Sequence, residues 1–248
     1  MPDDSNPGLS LDPAAPEFAA RRAQARQELD AIDPAMQGKA NADPLRRDWF
    51  EAVYARAAND PARVPWANLV PHPLTKSWVG LQTRGVAGMR VLDVGCGLGD
   101  NAECFARAGA IVTAFDLVPT AVAWARRRFP ETTVAYCAGD LLAPPQAWWQ
   151  AFDLVHECYT LQALTVEILP KALAALRSLL APGGRLLLVA RARDEDSQES
   201  GPPWPLPPSI FDEAERQGLT PMAIEDISAA AGITRRHWRA LLVRSEDR

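Results

Sequence analysis

The sequence predicts an α/β protein built on one doubly wound, mostly parallel sheet of seven strands, with a helical cap in front of it. Three observations carry that expectation. Arg90-Val91-Leu92-Asp93-Val94 is a short apolar run that feeds straight into Gly95, Gly97 and Gly99. From there to Arg191, strand-like runs alternate with helical patterns, the order of a parallel sheet covered on both faces. The 248 residues suffice for one such sheet and an appendage, well above the size at which a core becomes hard to build.

The elements follow in chain order. Residues 1–16 carry four prolines and three aspartates with little apolar material, and read as a flexible tail. Residues 17–83 form the predicted cap. Within it, Glu17 to Ile32 is helical and Arg-rich, and Pro44 to Ala58 is a second helix whose Trp49, Phe50, Val53 and Tyr54 share a face. Docking onto the main domain is the simplest use of that stripe. Val64 to Leu74 is too proline-rich for a helix or a central strand and reads as a cover segment.

The sheet domain is expected over residues 84–248. Its first strand, Arg90 to Val94, precedes a helix from Asn101 to Arg107, and its second, Ile111 to Phe115, ends at Asp116. The helix Pro119 to Phe129 has proline early and Arg126, Arg127 and Arg128 in its last turn, where they suit the helix dipole better than a nucleic acid. Thr133 to Ala138 is the third strand. Pro144 to Gln150 is a short helix whose Trp148 and Trp149 pack on the sheet, Phe152 to Thr160 the fourth strand, Val166 to Leu180 a helix and Arg185 to Arg191 the fifth strand. The polar run Asp194 to Ser200 and the proline-rich Gly201 to Pro208 form a loop leaving the carboxyl end of that strand, placed to cover a ligand or simply to connect. Ser209 to Gln217 reads as a helix, with strands at Met222 to Ile227 and His237 to Val243 closing the sheet.

Composition excludes several functions. A net charge of −5 and a pI near 5.3 argue against a sequence-independent nucleic-acid binder, which needs a basic face to displace counterions. Cys96, Cys104, Cys137 and Cys158 lack C-x-x-C spacing, so neither a disulfide framework nor a metal site is expected, and reduced thiols suit the cytoplasm. No apolar run approaches about 18 residues, so no membrane span is expected, and the first residues lack the layout of a secretory signal.

The glycine loop narrows the chemistry. Glycines at a strand end let the main chain approach a bulky group, and the following helix aims free N–H groups at the same place. A dinucleotide fingerprint, G-x-G-x-x-G, has Asp100 at its sixth position here, where its charge would face a pyrophosphate. What stands instead is Asp93-x-Gly95-x-Gly97-x-Gly99, which resembles the first motif of the class I S-adenosylmethionine-dependent methyltransferases. Asp116 falls 23 residues after Asp93, and Gly139-Asp140-Leu141, Phe152 to Glu157, and Leu180 to Val189 follow in family order, so the resemblance covers roughly residues 88–191.

That resemblance implies a Rossmann-like methyltransferase fold, S-adenosylmethionine as cofactor, and a small-molecule acceptor methylated on a heteroatom. It places Asp93 at the methionine ammonium, Gly95 and Gly97 along the methionine and ribose, and Asp116 on both ribose hydroxyls. Leu117 packs on adenine, and Asp140 with the Leu141 backbone reads its edge, unless Asp140 is only a turn former. His72, His156 and Glu157 are the candidates for proton removal. Glu157 has a second possible place at the cofactor's methionine end, and His156 is open to the alternative of a core histidine satisfied by a backbone partner. His237, opening the last strand, reads as structural. Trp66, Tyr159 and Trp204 are the candidate acceptor contacts, since in small-molecule enzymes of the thiopurine type a segment similar to Val64–Leu74 folds over the cofactor. The family's amino-directed DNA enzymes carry an Asn/Asp-Pro-Pro-Tyr tetrad where this chain has His156-Glu157-Cys158-Tyr159, so base methylation is not expected. A protein methyltransferase, or a cofactor-binding regulator without turnover, remains the alternative. The oligomeric state is not legible.

Overall fold

The computed structural model describes residues 11–36, 45–82, 85–197, 202–228 and 233–245. Most of the expected tail, residues 1–10, lies outside them, as do the first residue of the expected second cap helix, the 83/84 boundary and the middle of the loop after the fifth strand. The elements are α1 (Pro16–Asp30), α2 (Arg47–Ala57), α3 (Pro73–Leu81), β1 (Arg90–Val94), α4 (Asp100–Arg107), β2 (Ile111–Asp116), α5 (Pro119–Arg128) and β3 (Ala135–Ala138), then β4 (Phe152–Cys158), α6 (Leu169–Leu179), β5 (Leu180–Arg191), α7 (Ile210–Arg216), β6 (Leu219–Ile227) and β7 (His237–Arg244).

The seven strands lie in the order β3-β2-β1-β4-β5-β7-β6. β1 to β5 run parallel, and β7 inserts antiparallel between β5 and β6. The order reverses between β1 and β4, so the loops after these two strands diverge and open a crevice at their carboxyl ends. The central strands read as continuous apolar runs because both faces are covered. Leu92, Val155, Leu186 and Leu188 pack under α6 and α7, while Val91, Leu154, Leu187 and Val189 pack on the opposite side with Phe105.

A third apolar cluster joins cap to sheet domain: Tyr54, Ala57, Val64 and Ala67 pack against Leu98, Val118, Ala121 and Trp124. The stripe predicted on α2 is therefore a docking face. Ion pairs add to it, Arg21 bonding Asp60 at 2.9 Å inside the cap and Arg47 reaching Asp140 at 3.2 Å across to the sheet. The arginine run also has fixed partners. Arg128 takes both oxygens of Asp100 at 2.8 Å and the Leu98 carbonyl, Arg126 the Tyr136 carbonyl, and Arg127 Asn59 at 2.7 Å.

Several boundaries differ from the sequence expectation, four of them for reasons local to the chain. The cover segment ends in α3, because Pro73 stands at the first helical position, where its missing N–H is no loss, and the His72 ring accepts from Leu74 N–H as an N-cap. Residues 144–150 form only a single 3₁₀ turn, Gln146–Trp148, from which Trp148 packs on Phe115 and Phe152 while Trp149 is 57% exposed. β5 begins at Leu180, and its Pro182-Gly183-Gly184 stretch is absorbed by an irregularity in the pairing with β4. α6 starts at Leu169, with Pro170 in its first turn.

Candidate active site

Gly95, Gly97 and Gly99 have φ of 65°, 53° and 91°, a left-handed region that side chains rarely enter. Space adds a second constraint at Gly95, where a Cβ would run into Thr160 Oγ1, and at Gly99, where it would run into the Tyr136 hydroxyl. The loop after β1 is thereby pressed flat between the ends of β4 and β3. Next to it opens a cavity of about 780 Å³, roofed by the cap and floored by the carboxyl ends of the strands.

Asp116 closes β2 and lines this cavity. Its Oδ2 accepts the Gly97 N–H and its Oδ1 the Val118 N–H, each at 2.9 Å. One side chain thus sets the glycine loop and presents a carboxylate beside it. Burial pushes this carboxyl up to about 6, with the two backbone donors and Leu117 pulling the other way. Leu117, Phe115 and Leu141 continue the wall. Asp140 is not among the lining residues. Its Oδ1 accepts the Leu142 N–H at 2.8 Å and its Oδ2 faces Arg47, the geometry of a turn former tied to the cap.

Asp93, His156 and Glu157 lie beneath the floor, outside the cavity wall. His156 is fully buried, its Nδ1 2.6 Å from Asp93 Oδ1, its Nε2 3.0 Å from Thr75 Oγ1, and its ring against Phe105. It is a core histidine, held by side chains on both nitrogens and not by the backbone partner expected; it pins α3 to β1 and has no face toward an acceptor. Glu157 is equally buried, its Oε2 accepting the Thr160 and Leu161 N–H groups at 2.8 and 3.0 Å, and burial pushes it up to about 7. Asp93 Oδ2 and Glu157 Oε1 have no protein partner among the described residues. These two oxygens, on neighbouring strands paired Asp93↔His156 and Val94↔Glu157, leave acceptor capacity beneath the loop.

Three polar rings meet in the cavity wall from three parts of the chain. His72 is the N-cap of α3, its backbone N–H bonded to Asn101 Oδ1 at 2.8 Å; Tyr159 follows β4 with a φ of 70°; His237 opens β7 opposite Arg191 of β5. The Tyr159 hydroxyl lies 3.0 Å from His72 Nε2 and 2.6 Å from His237 Nε2. Burial, with His237 and His156 nearby, holds His72 down to about 3, and burial lowers His237 as well. His237 read as structural in the sequence. What marks it is its register position opposite the end of β5, which the topology alone supplies.

Of the aromatic candidates, Trp66 lines the cavity above Gly97, donating its Nε1–H to the Tyr54 hydroxyl at 3.1 Å and packing on Trp49 and Phe50. Trp204 does not line it. Its backbone N–H donates to the Gln162 carbonyl at 2.7 Å, and Pro202 and Pro203, just before it, reach the wall instead. Among the described residues no group of three or more His, Cys, Asp or Glu side chains is placed to hold a metal ion, and no helix is long and apolar enough to cross a membrane.

Residues 91–184 match a family model described as a methyltransferase domain. The ubiquinone biosynthesis O-methyltransferase of Xanthomonas campestris pv. campestris is 42% identical over 109 residues, covering 41% of this chain and 42% of that protein. The match thus spans less than half the length of this curated relative. Among solved structures, the 1,6-didemethyltoxoflavin-N1-methyltransferase of Burkholderia thailandensis, with bound 1,6-didemethyltoxoflavin and S-adenosylhomocysteine, superposes with a TM-score of 0.62 at 18% identity, over 84% of this chain and 92% of that one. The [4+2]-cyclase SpnF superposes with a TM-score of 0.58 at 20% identity, over 68% and 79%. Sheet order and glycine loop accord with the methyltransferase domain that residues 91–184 match.

Proposed function

We propose that the protein transfers a methyl group from S-adenosylmethionine to a heteroatom of a small-molecule acceptor. The observation that carries this reading is one cavity whose wall brings together two unlike sets of groups. One set is the glycine loop and the Asp116 carboxylate, with Trp66 and Tyr54 of the cap over Gly97; the other is the rings of His72, Tyr159 and His237. Its volume of about 780 Å³ falls in the range that encloses cofactor-sized ligands.

The residues fit the cofactor. Asp116 has one lone pair per oxygen engaged by the backbone and retains acceptor sites for a vicinal diol. Gly95 and Gly97 admit the main chain to the ligand, Leu117 and Leu141 take the adenine side, and the unpaired oxygens of Asp93 and Glu157 draw the methionine ammonium through a bridging water. The bound sulfonium supplies an electrophilic methyl carbon. The protein's share is alignment and exclusion of water, and alignment alone contributes roughly 7–11 kcal/mol where the geometry is near-attack. Four unpaired thiols suit the cytoplasm as compartment.

The test is calorimetry followed by an assay. S-adenosylhomocysteine is expected to bind and to raise the melting temperature by mass action, and NAD to do neither. Binding of NAD alone would overturn the cofactor assignment. Cofactor binding with no S-adenosylhomocysteine released from S-adenosylmethionine across a broad acceptor panel would make the chain a binding protein. DNA and RNA are expected to bind weakly at low salt, given the net charge of −5.

A further inference from the structure

The rings of His72, Tyr159 and His237 form a hydrogen-bond chain whose direction is set by its ends. His72 Nδ1 accepts the Leu74 N–H at 3.3 Å, so its Nε2 carries the proton and donates to the Tyr159 oxygen. His237 Nδ1 lies 2.6 Å from the Arg235 carbonyl and can only donate to it, so His237 Nε2 is bare and receives the Tyr159 O–H. The Tyr159 oxygen therefore has one donor on it, one proton leaving it, and one acceptor site remaining. Tyr159 is half-buried in the cavity wall, whereas His237 is 4% exposed behind it.

We infer that Tyr159, held by His72 and backed by His237, takes the proton of a hydroxyl-bearing acceptor, and that the acceptor hydroxyl is an acidic one, a phenol or enol. This deepens the proposed methyl transfer and rests on it. As the acceptor O–H bond breaks, its proton passes to the Tyr159 oxygen and the Tyr159 proton passes to His237 Nε2. The acceptor oxygen forms its bond to the methyl carbon, and the S–C bond breaks with its pair left on sulfur. His237 ends as an imidazolium whose Nδ1–H still donates to the Arg235 carbonyl, and it returns the proton to solvent. Charge is thus moved from sulfur to a ring whose partners among the described residues are the Tyr159 hydroxyl and the Arg235 carbonyl.

Acidity selects the acceptor class. Transfer from a phenol, pKa near 10, to an imidazole near 6.5 is uphill by roughly four orders of magnitude, whereas from a hydroxyl as weakly acidic as water it is uphill by about nine. The groups facing His237 sharpen the selection. Burial and Arg191 from β5 make the ring a weaker base, and the Arg235 carbonyl favours the imidazolium; the His72 ring packs beside it at 5.5 Å.

Two measurements test this. In the free protein, ¹⁵N-histidine spectra are expected to show opposite tautomers, His72 protonated on Nε2 and His237 on Nδ1; the reverse tautomer at His237 would overturn the relay. In single-turnover assays with S-adenosylmethionine at pH 8, 4-methoxyphenol, still protonated, is compared with 4-nitrophenol, already ionised. Tyr159→Phe and His237→Gln are each expected to lower the 4-methoxyphenol to 4-nitrophenol rate ratio by about 10²–10⁴-fold. Their 4-methoxyphenol rate should climb about tenfold per pH unit, as the phenolate forms in solvent. Equal losses on both acceptors would reduce the three rings to a structural support. Tyr159→Phe removes only the hydroxyl, so a folding defect at His237 does not blunt the test. A wild-type protein that binds S-adenosylhomocysteine yet methylates amines and neither phenol overturns the hydroxyl assignment and leaves the methyl-transfer reading standing; failure to bind the cofactor overturns both.

Discussion

Asp116 makes cofactor binding depend on pH in a direction that its surroundings fix. Its carboxyl titrates near 6 in the folded protein against an ordinary value of 3.8, because burial penalises the charged form more than the Gly97 and Val118 N–H groups favour it. The folded state then holds more protons than the unfolded chain between about pH 4 and 6. Stability contributed by this group is lost as pH rises through that window, to a total of ~3 kcal/mol, and is flat above it. Ribose hydroxyls donate to the charged form, each charge-assisted bond contributing roughly 1.5–3 kcal/mol, so the bound state favours the carboxylate. The Kd for S-adenosylhomocysteine is therefore expected to be level above pH 6 and to weaken by up to about tenfold per pH unit below it. Calorimetry at pH 6 in buffers of different ionisation enthalpy should register release of about half a proton on binding. Asp116→Asn should weaken binding at pH 8 by 10- to 100-fold or so and flatten both the pH dependence and the proton release. A Kd independent of pH from 5 to 8 in the wild type would refute the reasoning and move the ribose contact elsewhere.

Three further outcomes are expected. Gly95→Ala should lose cofactor binding and much of its stability, since φ is 65° and the new Cβ meets Thr160, whereas Gly80→Ala, inside α3 with nothing within 4 Å, should stabilise by roughly 0.5–1 kcal/mol in thermal denaturation. His156→Ala should cost about 3–5 kcal/mol, a drop of about 6–20 °C in Tm, because it leaves the Asp93 carboxylate buried without its partner; lost methyl transfer at an unchanged Tm would return His156 to the chemistry. Trp66→Ala should destabilise by about 1–3 kcal/mol, since the ring is half-buried in the cluster with Trp49, Phe50 and Tyr54, and should also weaken S-adenosylhomocysteine, since it sits over Gly97. Full cofactor affinity in that variant, measured by calorimetry, would confine Trp66 to the acceptor side or to the cap.

The sequence by itself determined the sheet, the glycine loop and the acid that faces it, because all three are written in local rules. A five-residue apolar strand ending in three glycines leaves few conformations, and alternation of periods two and 3.6 orders the strands and helices one after another. The acid at the end of β2 follows by position. Where the reading slipped locally, at α3 and at residues 144–150, proline was the reason: Pro73 starts a helix at its first position, and Pro144-Pro145 leave room for only a single turn. His72 and Tyr159 were candidates in the sequence, but their meeting with His237 was decided by tertiary structure alone. His72, Tyr159 and His237 lie 87 and 78 residues apart in pairs, on a helix cap, a strand end and the start of an antiparallel strand. No periodicity links such positions. They meet because β7 inserts beside β5 and the cap folds back over β1 and β4. The same packing withdrew His156 from the candidates: strand alternation shows that it and Glu157 face opposite ways, but only the docking of α3, which brings Thr75 to its Nε2, shows both its nitrogens already engaged.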